Sequence, residues 1–171
     1  MPDPDTEKSS TNPASSSVID KISYRRILVP VVFCESSAKA AIYAARLAAC
    51  FGCPVTLLHV ISLQGNPISQ YPLEYTVPDS YVSQHELAES EAKAALRSLA
   101  DCFAERGIQA DLETRVGTPF EEIVNAADQF AADLIVISSR GRTGLGRLLP
   151  GNTAERVLER ARCPVLVIPD L

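Results

Sequence analysis

Five short apolar runs, each separated from the next by a stretch with helical spacing, constrain this 171-residue chain more than any other feature. Asp133-Leu-Ile-Val-Ile-Ser138 is the clearest of them. It is β-branched-rich and apolar at odd and even positions alike, the pattern of a strand buried on both faces. Ile27-Leu-Val-Pro-Val-Val32, Pro54-Val-Thr-Leu-Leu-His-Val-Ile61 and Cys163-Pro-Val-Leu-Val-Ile168 supply three more strands. A strand dry on both sides needs a helix over each face. The expected fold is therefore α/β: a five-stranded parallel sheet, doubly wound and Rossmann-like.

The intervening segments carry helix signals. Ala38 to Phe51 has Ala38, Ala41, Ala45 and Ala48 at helical spacing, with Gly52 as its stop and Phe33–Ser37 as the loop before it. Ser83-Gln-His-Glu86 reads as a capping box opening a helix to about Arg106. Its inward stripe is Leu87/Ala88, Ala92, Leu96, Leu99 and Phe103, and Gly107 ends it. Ile108 to Val116 alternates, as expected of a strand with one wetter face near a sheet edge. Thr118-Pro-Phe-Glu121 places an N-cap, an N1 proline and a capping-box glutamate ahead of Ile123, Val124, Ala127 and Phe130. A last helix, Thr153 to Ala161, has Val157, Leu158 and Ala161 inward.

Composition narrows the function classes. A net charge of −5 argues against general nucleic-acid binding, which needs a basic face. No apolar run approaches the roughly 20 residues that span a bilayer. Met1-Pro-Asp-Pro-Asp-Thr-Glu7 lacks the regions of a secretory signal, so a cytoplasmic location without membrane contact is expected. Residues 1–23, rich in Ser, Thr, Pro and Asp, are expected to form a disordered tail ahead of a single domain, 24–171. Ser62 to Ser80, with Pro67, Pro72 and Pro78 near Tyr71, Tyr75 and Tyr81, reads as a long irregular segment, a lid or a partner-binding patch.

The five cysteines are an odd number with no export signal, and free thiols are expected. Cys50-Phe-Gly-Cys53 spells C-x-x-C but straddles a helix C-terminus, where the dipole disfavours a thiolate. With no second pair for a four-thiolate zinc site, incidental packing is the reading, and no metal ligands are assigned. His59 lacks the companions of a catalytic triad and is read as structural.

Ligand chemistry is concentrated after the Asp133 strand. Ser139-Arg-Gly-Arg-Thr-Gly-Leu-Gly146 contains three glycines, and Gly151-Asn-Thr-Ala-Glu155 opens a helix with Asn152 as N-cap and Glu155 completing its box. Backbone amides in such a turn, beside a helix N-terminus, form an anion site, and Arg140, Arg142 and Arg147 add positive charge. In the common five-strand order the first and fourth strands are neighbours at the switch point, and ligands bind where their following loops part. Val32–Ser36 and Ser138–Asn152 are those loops. Neither G-x-G-x-x-G after the first strand nor G-x-x-x-x-G-K-[ST] is present.

Ile27-Leu-Val-Pro30, Leu57-Leu-His-Val60, Val116-Gly-Thr-Pro119, Asp133-Leu-Ile-Val-Ile137, Gly141-Arg-Thr-Gly144, Gly151-Asn-Thr-Ala-Glu155 and Cys163-Pro-Val-Leu-Val-Ile168 together resemble the universal stress protein family, from Tyr24 to Pro169. The resemblance implies a fold of the adenine nucleotide alpha hydrolase type and a homodimer through the last strand, Val165–Ile168. It also implies ATP, with Mg, as the candidate ligand. The family's phosphate motif is a glycine, two residues, a glycine, nine residues, then glycine and Ser or Thr. It falls here on Ser138, Gly141, Gly151 and Asn152, so that two of three glycines match. Pro30 and Val60 match the family's apolar pocket wall, and Val32 stands where it carries an aspartate. Ile137, Arg140, Arg142 and Thr153 complete the expected site.

Three functions follow as expectations. The first is a non-enzymatic stress-response protein with an adenine-nucleotide site. The second is a nucleotide-independent member of the same family acting through protein contacts. The third, a weak nucleotide hydrolase, has no evident general base or magnesium carboxylate beside the turn.

Overall fold

The computed structural model describes residues 23–62, 79–139 and 153–169, with only the backbone of 79–85. The expected tail, most of the Ser62–Ser80 segment and the glycine turn lie outside the described residues. The elements in chain order are β1 (Ile27–Pro30), α1 (Glu35–Phe51), β2 (Val55–Ser62), α2 (Asp79–Ala104), β3 (Ala110–Gly117), α3 (Pro119–Gln129), β4 (Leu134–Ser138), α4 (Thr153–Arg160) and β5 (Val165–Ile168). The strands form one parallel sheet in the order β3-β2-β1-β4-β5, the doubly wound arrangement expected.

Each face of the sheet carries its own core. Ile27, Val29, Val55, Leu57, Leu134 and Val136 pack against Ala40, Ala41, Ala44, Ala45 and Ala48 of α1, Ala38 of the expected stripe being exposed, and against Leu96 and Phe103 of α2. Leu28, Leu58, Ile135 and Ile137 pack against Phe120, Ile123 and Ala127 of α3 and Ala154 and Val157 of α4. Alternate residues of one strand thus enter different cores, which is why these strands are apolar at odd and even positions alike. Leu28, Val29, Ile135 and Val136 are fully enclosed.

Helix ends follow local chemistry, with departures from the expected boundaries. Gly52 takes φ 63° and donates its N–H to Ala48 O, the left-handed stop that only glycine adopts without strain. α1 starts three residues before Ala38, with Cys34 as N-cap and Ala38 N–H already bonded to Cys34 O. Ser36 and Ser37 belong to its buried first turn rather than to a loop. α2 starts at Asp79, which puts Ser83–Glu86 inside the helix. Asp79-Ser-Tyr-Val82 holds no glycine or proline that would delay the start.

Three side-chain placements also differ. Leu87 is exposed; it lies about two and a half turns from Leu96 and so on the outer side of α2, leaving the inward stripe to Ala88 and Ala92. Leu158 is exposed because α4 meets the sheet along a narrow stripe, and one residue past Val157 is about 100° round the helix. Thr118 occupies the N-cap position but makes no side-chain cap bond. Glu122, not Glu121, folds back towards the strand, under Gly117, and pairs with Arg115 at 3.6 Å.

That pairing corrects the reading of β3. Leu112 and Val116 are exposed at this edge along with Asp111, whereas Arg115 is tucked against α3. Its guanidinium meets Glu113 at 3.2 Å and Gln129 Oε1 at 2.6 Å, and lies over the Phe130 ring. A long cation can cover apolar surface with its stem while its head stays paired.

The amino ends of β1 and β4 are stitched by Asp133. Its carboxylate accepts the backbone N–H groups of Arg25 (2.8 Å) and Arg26 (3.0 Å), and its own N–H bonds to Arg26 O. Asp133→Ala is expected to lower unfolding stability by about 1–2 kcal/mol, because both charge-assisted bonds vanish at a half-exposed site. Urea denaturation at neutral pH checks this; an unchanged midpoint would contradict it.

Candidate functional site

The crevice between β1 and β4 has a definite origin. Along β1 the N–H groups of Ile27 and Val31 bond to Pro54 O and Leu58 O on the β2 side. Alternation then turns Leu28 and Pro30 towards β4. Proline has no N–H to donate. Accordingly β1 pairs with β2 through Pro30↔Leu58, but with β4 only through Leu28↔Ile135. β4 continues to Ser138 in register with β5. The two central strands therefore part at their carboxyl ends, the place where open parallel sheets bind ligands.

Apolar side chains from three adjacent strands line this end. Ile137 is buried and Val60 half-buried in the core beneath α3 and α4. Pro30, two residues after Leu28, is buried on the same face. α4 opens on that face, with Thr153 half-buried as its first residue and Ala154 packed against the same core. Ser138 is buried, but one residue after Ile137 its side chain falls on the α1 side of the sheet. Val32 is half-buried in the loop leaving β1. Arg140, Gly141, Arg142, Gly151 and Asn152 lie outside the described residues; the helix they precede begins at Thr153, as expected from the N-cap reading.

The β1–α1 loop is held at several points. Val31 N–H donates to Leu58 O at 2.8 Å, and Val32 N–H donates to Ser37 Oγ at 3.1 Å. His59 Nδ1 lies 2.8 Å from Val31 O, a buried contact consistent with the structural reading of this histidine. A carbonyl only accepts, so Nδ1 carries the proton. Phe33 takes φ 50°, and its ring rests on the imidazole with centroids 4.6 Å apart. The Ser37 and Phe33 contacts went unread in the sequence because neither residue type signals the partner that it finds.

The chain's similarity to known proteins covers this whole framework. The sequence profile of the Universal stress protein family matches residues 23–169. A universal stress protein of Methanocaldococcus jannaschii is 35% identical over 145 residues, 85% of this chain and 82% of the relative. A solved structure of another protein from that archaeon is 26% identical with a TM-score of 0.76, covering 88% of this chain and 99% of its own. A universal stress protein from Archaeoglobus fulgidus, solved in complex with dAMP, is 25% identical with a TM-score of 0.57, covering 86% and 99%.

The thiols are all free. Cys50 is exposed while Cys53 is buried. Burial, and then the negative charge of Asp133, push the Cys53 thiol above its ordinary pKa. Cys163 is raised mainly by burial, with Asp128 and Asp133 adding to it. A raised pKa leaves less thiolate at any given pH, so this C-x-x-C has no activated nucleophile at Cys53. With iodoacetamide at about pH 8, Cys50 and Cys102 are expected to label at least roughly tenfold faster than Cys53 in the native protein. Peptide mass spectrometry reads the rates, and equal labelling of Cys50 and Cys53 would contradict the burial argument.

Proposed function

The chain belongs to the universal stress protein family, and from that premise we propose that it is a non-enzymatic stress-response protein whose β1/β4 crevice binds an adenine nucleotide, ATP being the candidate. The observation that carries this reading is the apolar wall of Pro30, Val60 and Ile137 at the one place where the central strands separate. The nucleoside lies against that wall. The phosphates lie towards the amides of Gly141 and Gly151, with Arg140, Arg142, Asn152 and the first turn of α4 at Thr153 as their surroundings. Ser138 and Val32 flank the two ends of the crevice. The dAMP complex of the relative from Archaeoglobus fulgidus supports an adenine nucleotide as the ligand class.

Magnesium enters, in this reading, with the nucleotide; among the described residues no group of three or more His, Cys, Asp or Glu could hold a metal ion. Occupancy biases conformation or partner choice rather than driving a reaction. β5 lies at the edge of the sheet with Leu166 exposed, which supports a homodimer through Val165–Ile168. No helix among the described residues is long and apolar enough to cross a membrane, and the charge of −5 suits neither nucleic acid nor an anionic membrane surface. A cytoplasmic location fits this reading. Val32, standing where the family carries an aspartate, favours a second reading in which protein contacts alone carry the function.

Calorimetric titration with ATP, with and without magnesium, separates the two. Heat with saturation is expected, and none at millimolar nucleotide would leave the second reading. Gly141→Val is expected to abolish binding without loss of the circular dichroism spectrum, because a branched side chain blocks the amide nest. Retained affinity would put the phosphates elsewhere.

Val32→Asp restores a polar partner for the nucleoside and is expected to tighten ATP binding by about fivefold, the equivalent of one net hydrogen bond. Unchanged affinity would count against the placement of the nucleoside.

A further inference from the structure

The loop that closes one side of the crevice is shaped from behind by a residue that does not face the ligand. His59 alternates with Leu58 and Val60, whose side chains enter the core under α3 and α4, so its imidazole projects from the opposite face, towards α1. There it is buried, and its Nδ1–H donates to Val31 O across 28 residues of chain. The same ring backs Phe33 at 4.6 Å with a tilt of 32°. Phe33 holds φ 50°, a conformation that L side chains rarely adopt, and is 45% exposed. An exposed aromatic residue in a strained conformation needs something to hold it. Two contacts hold it in place: the imidazole beneath the ring, and the Val32 N–H to Ser37 Oγ bond beside it, on a serine only 2% exposed.

We infer that His59 is a positioning residue for the nucleoside end of the crevice: by gripping Val31 O and supporting Phe33, it fixes the Pro30–Phe33 segment in the shape that receives the ligand. The inference rests on the nucleotide reading above. Its reach is local. Val31 separates Pro30 from Val32, so a rotation of the Val31 peptide moves the wall residue Pro30 and the loop residue Val32 together. His59 touches no phosphate and takes no part in any proton transfer. Its effect falls on the nucleoside and not on the anion.

Full-length protein and three variants test this, with ATP and inorganic tripolyphosphate as probes. His59→Leu removes the donor while keeping an apolar side chain; His59→Asn places an amide N–H near the position of Nδ1. ATP affinity is expected to fall about tenfold in His59→Leu and to return within about threefold of the parent in His59→Asn, as for loss and recovery of one buried orienting bond. Tripolyphosphate affinity is expected to be unchanged in both. Phe33→Ala, at an exposed position that leaves the core intact, is expected to weaken ATP in the same sense and covers the case in which His59→Leu does not fold. Undiminished ATP binding in Phe33→Ala or in folded His59→Leu overturns the inference. So does a parallel loss of ATP and tripolyphosphate, which marks general damage, or a failure of His59→Asn to recover. A parent protein that binds no ATP instead sinks the nucleotide reading, and this inference with it.

Discussion

One missing hydrogen-bond donor organises the carboxyl end of the central strands. Pro30 sits in the central strand, a position where proline is ordinarily excluded because it cannot complete a ladder. It is tolerated here because it is the last residue of β1 and because its nitrogen is directed to the β4 side, where pairing has already ended at Leu28↔Ile135. On the β2 side nothing is lost: the ladder runs to Pro30↔Leu58 and Val31 N–H goes on to Leu58 O. The sheet is continuous across its lower half and split at its upper end, along one boundary only.

Topology makes that split useful. The chain winds from β1 outwards through β2 to β3, then returns to place β4 and β5 on the other side. α1 and α2 cover one face while α3 and α4 cover the other, so the crossovers after β1 and β4 leave in opposite directions. The gap between them is lined by whatever stands at the strand ends, and in this chain Pro30, Val60 and Ile137 give it an apolar wall on the α3 and α4 side. The β1–α1 loop on its rim is not slack. Val31, Val32 and Phe33 are each tied to a buried partner, and preorganisation of this kind lowers the ordering cost of binding.

Much of this was legible in the sequence, for physical reasons. A parallel strand between two helical layers has to be apolar throughout, and only a few topologies can be built from five such strands. Hence the fold class, the adjacency of the first and fourth strands and the edge position of the third could be read ahead of the structure. What failed was written in weaker signals. Leu87 and Leu158 are apolar and exposed, and no periodicity distinguishes a leucine at the border of a stripe from one inside it. Leu112 and Val116, on the apolar side of the alternation in β3, are exposed, while Arg115 beside them is paired with Glu113 and Gln129. The Ser83 capping box was overridden by helix continuing from Asp79. At the candidate site, Pro30, Val60 and Ile137 stand on three adjacent strands and on one face of the sheet, which strand alternation makes readable, whereas the grip of His59 on Val31 joins residues 28 apart and has no local signature.

The central claim is that the separation of β1 from β4 exists to receive an adenine nucleotide, with the nucleoside against β1 and β2 and the phosphates towards the start of α4. Amide chemical-shift mapping of the labelled protein during an ATP titration tests it most directly. The account predicts shifts concentrated at Val31, Val32, Val60, Ser138, Ser139 and Thr153 and at the glycines Gly141 and Gly151, with β3 and the outer side of α2 unmoved. Saturable shifts centred on β3 or α2, or none at the carboxyl ends of β1 and β4, would contradict it.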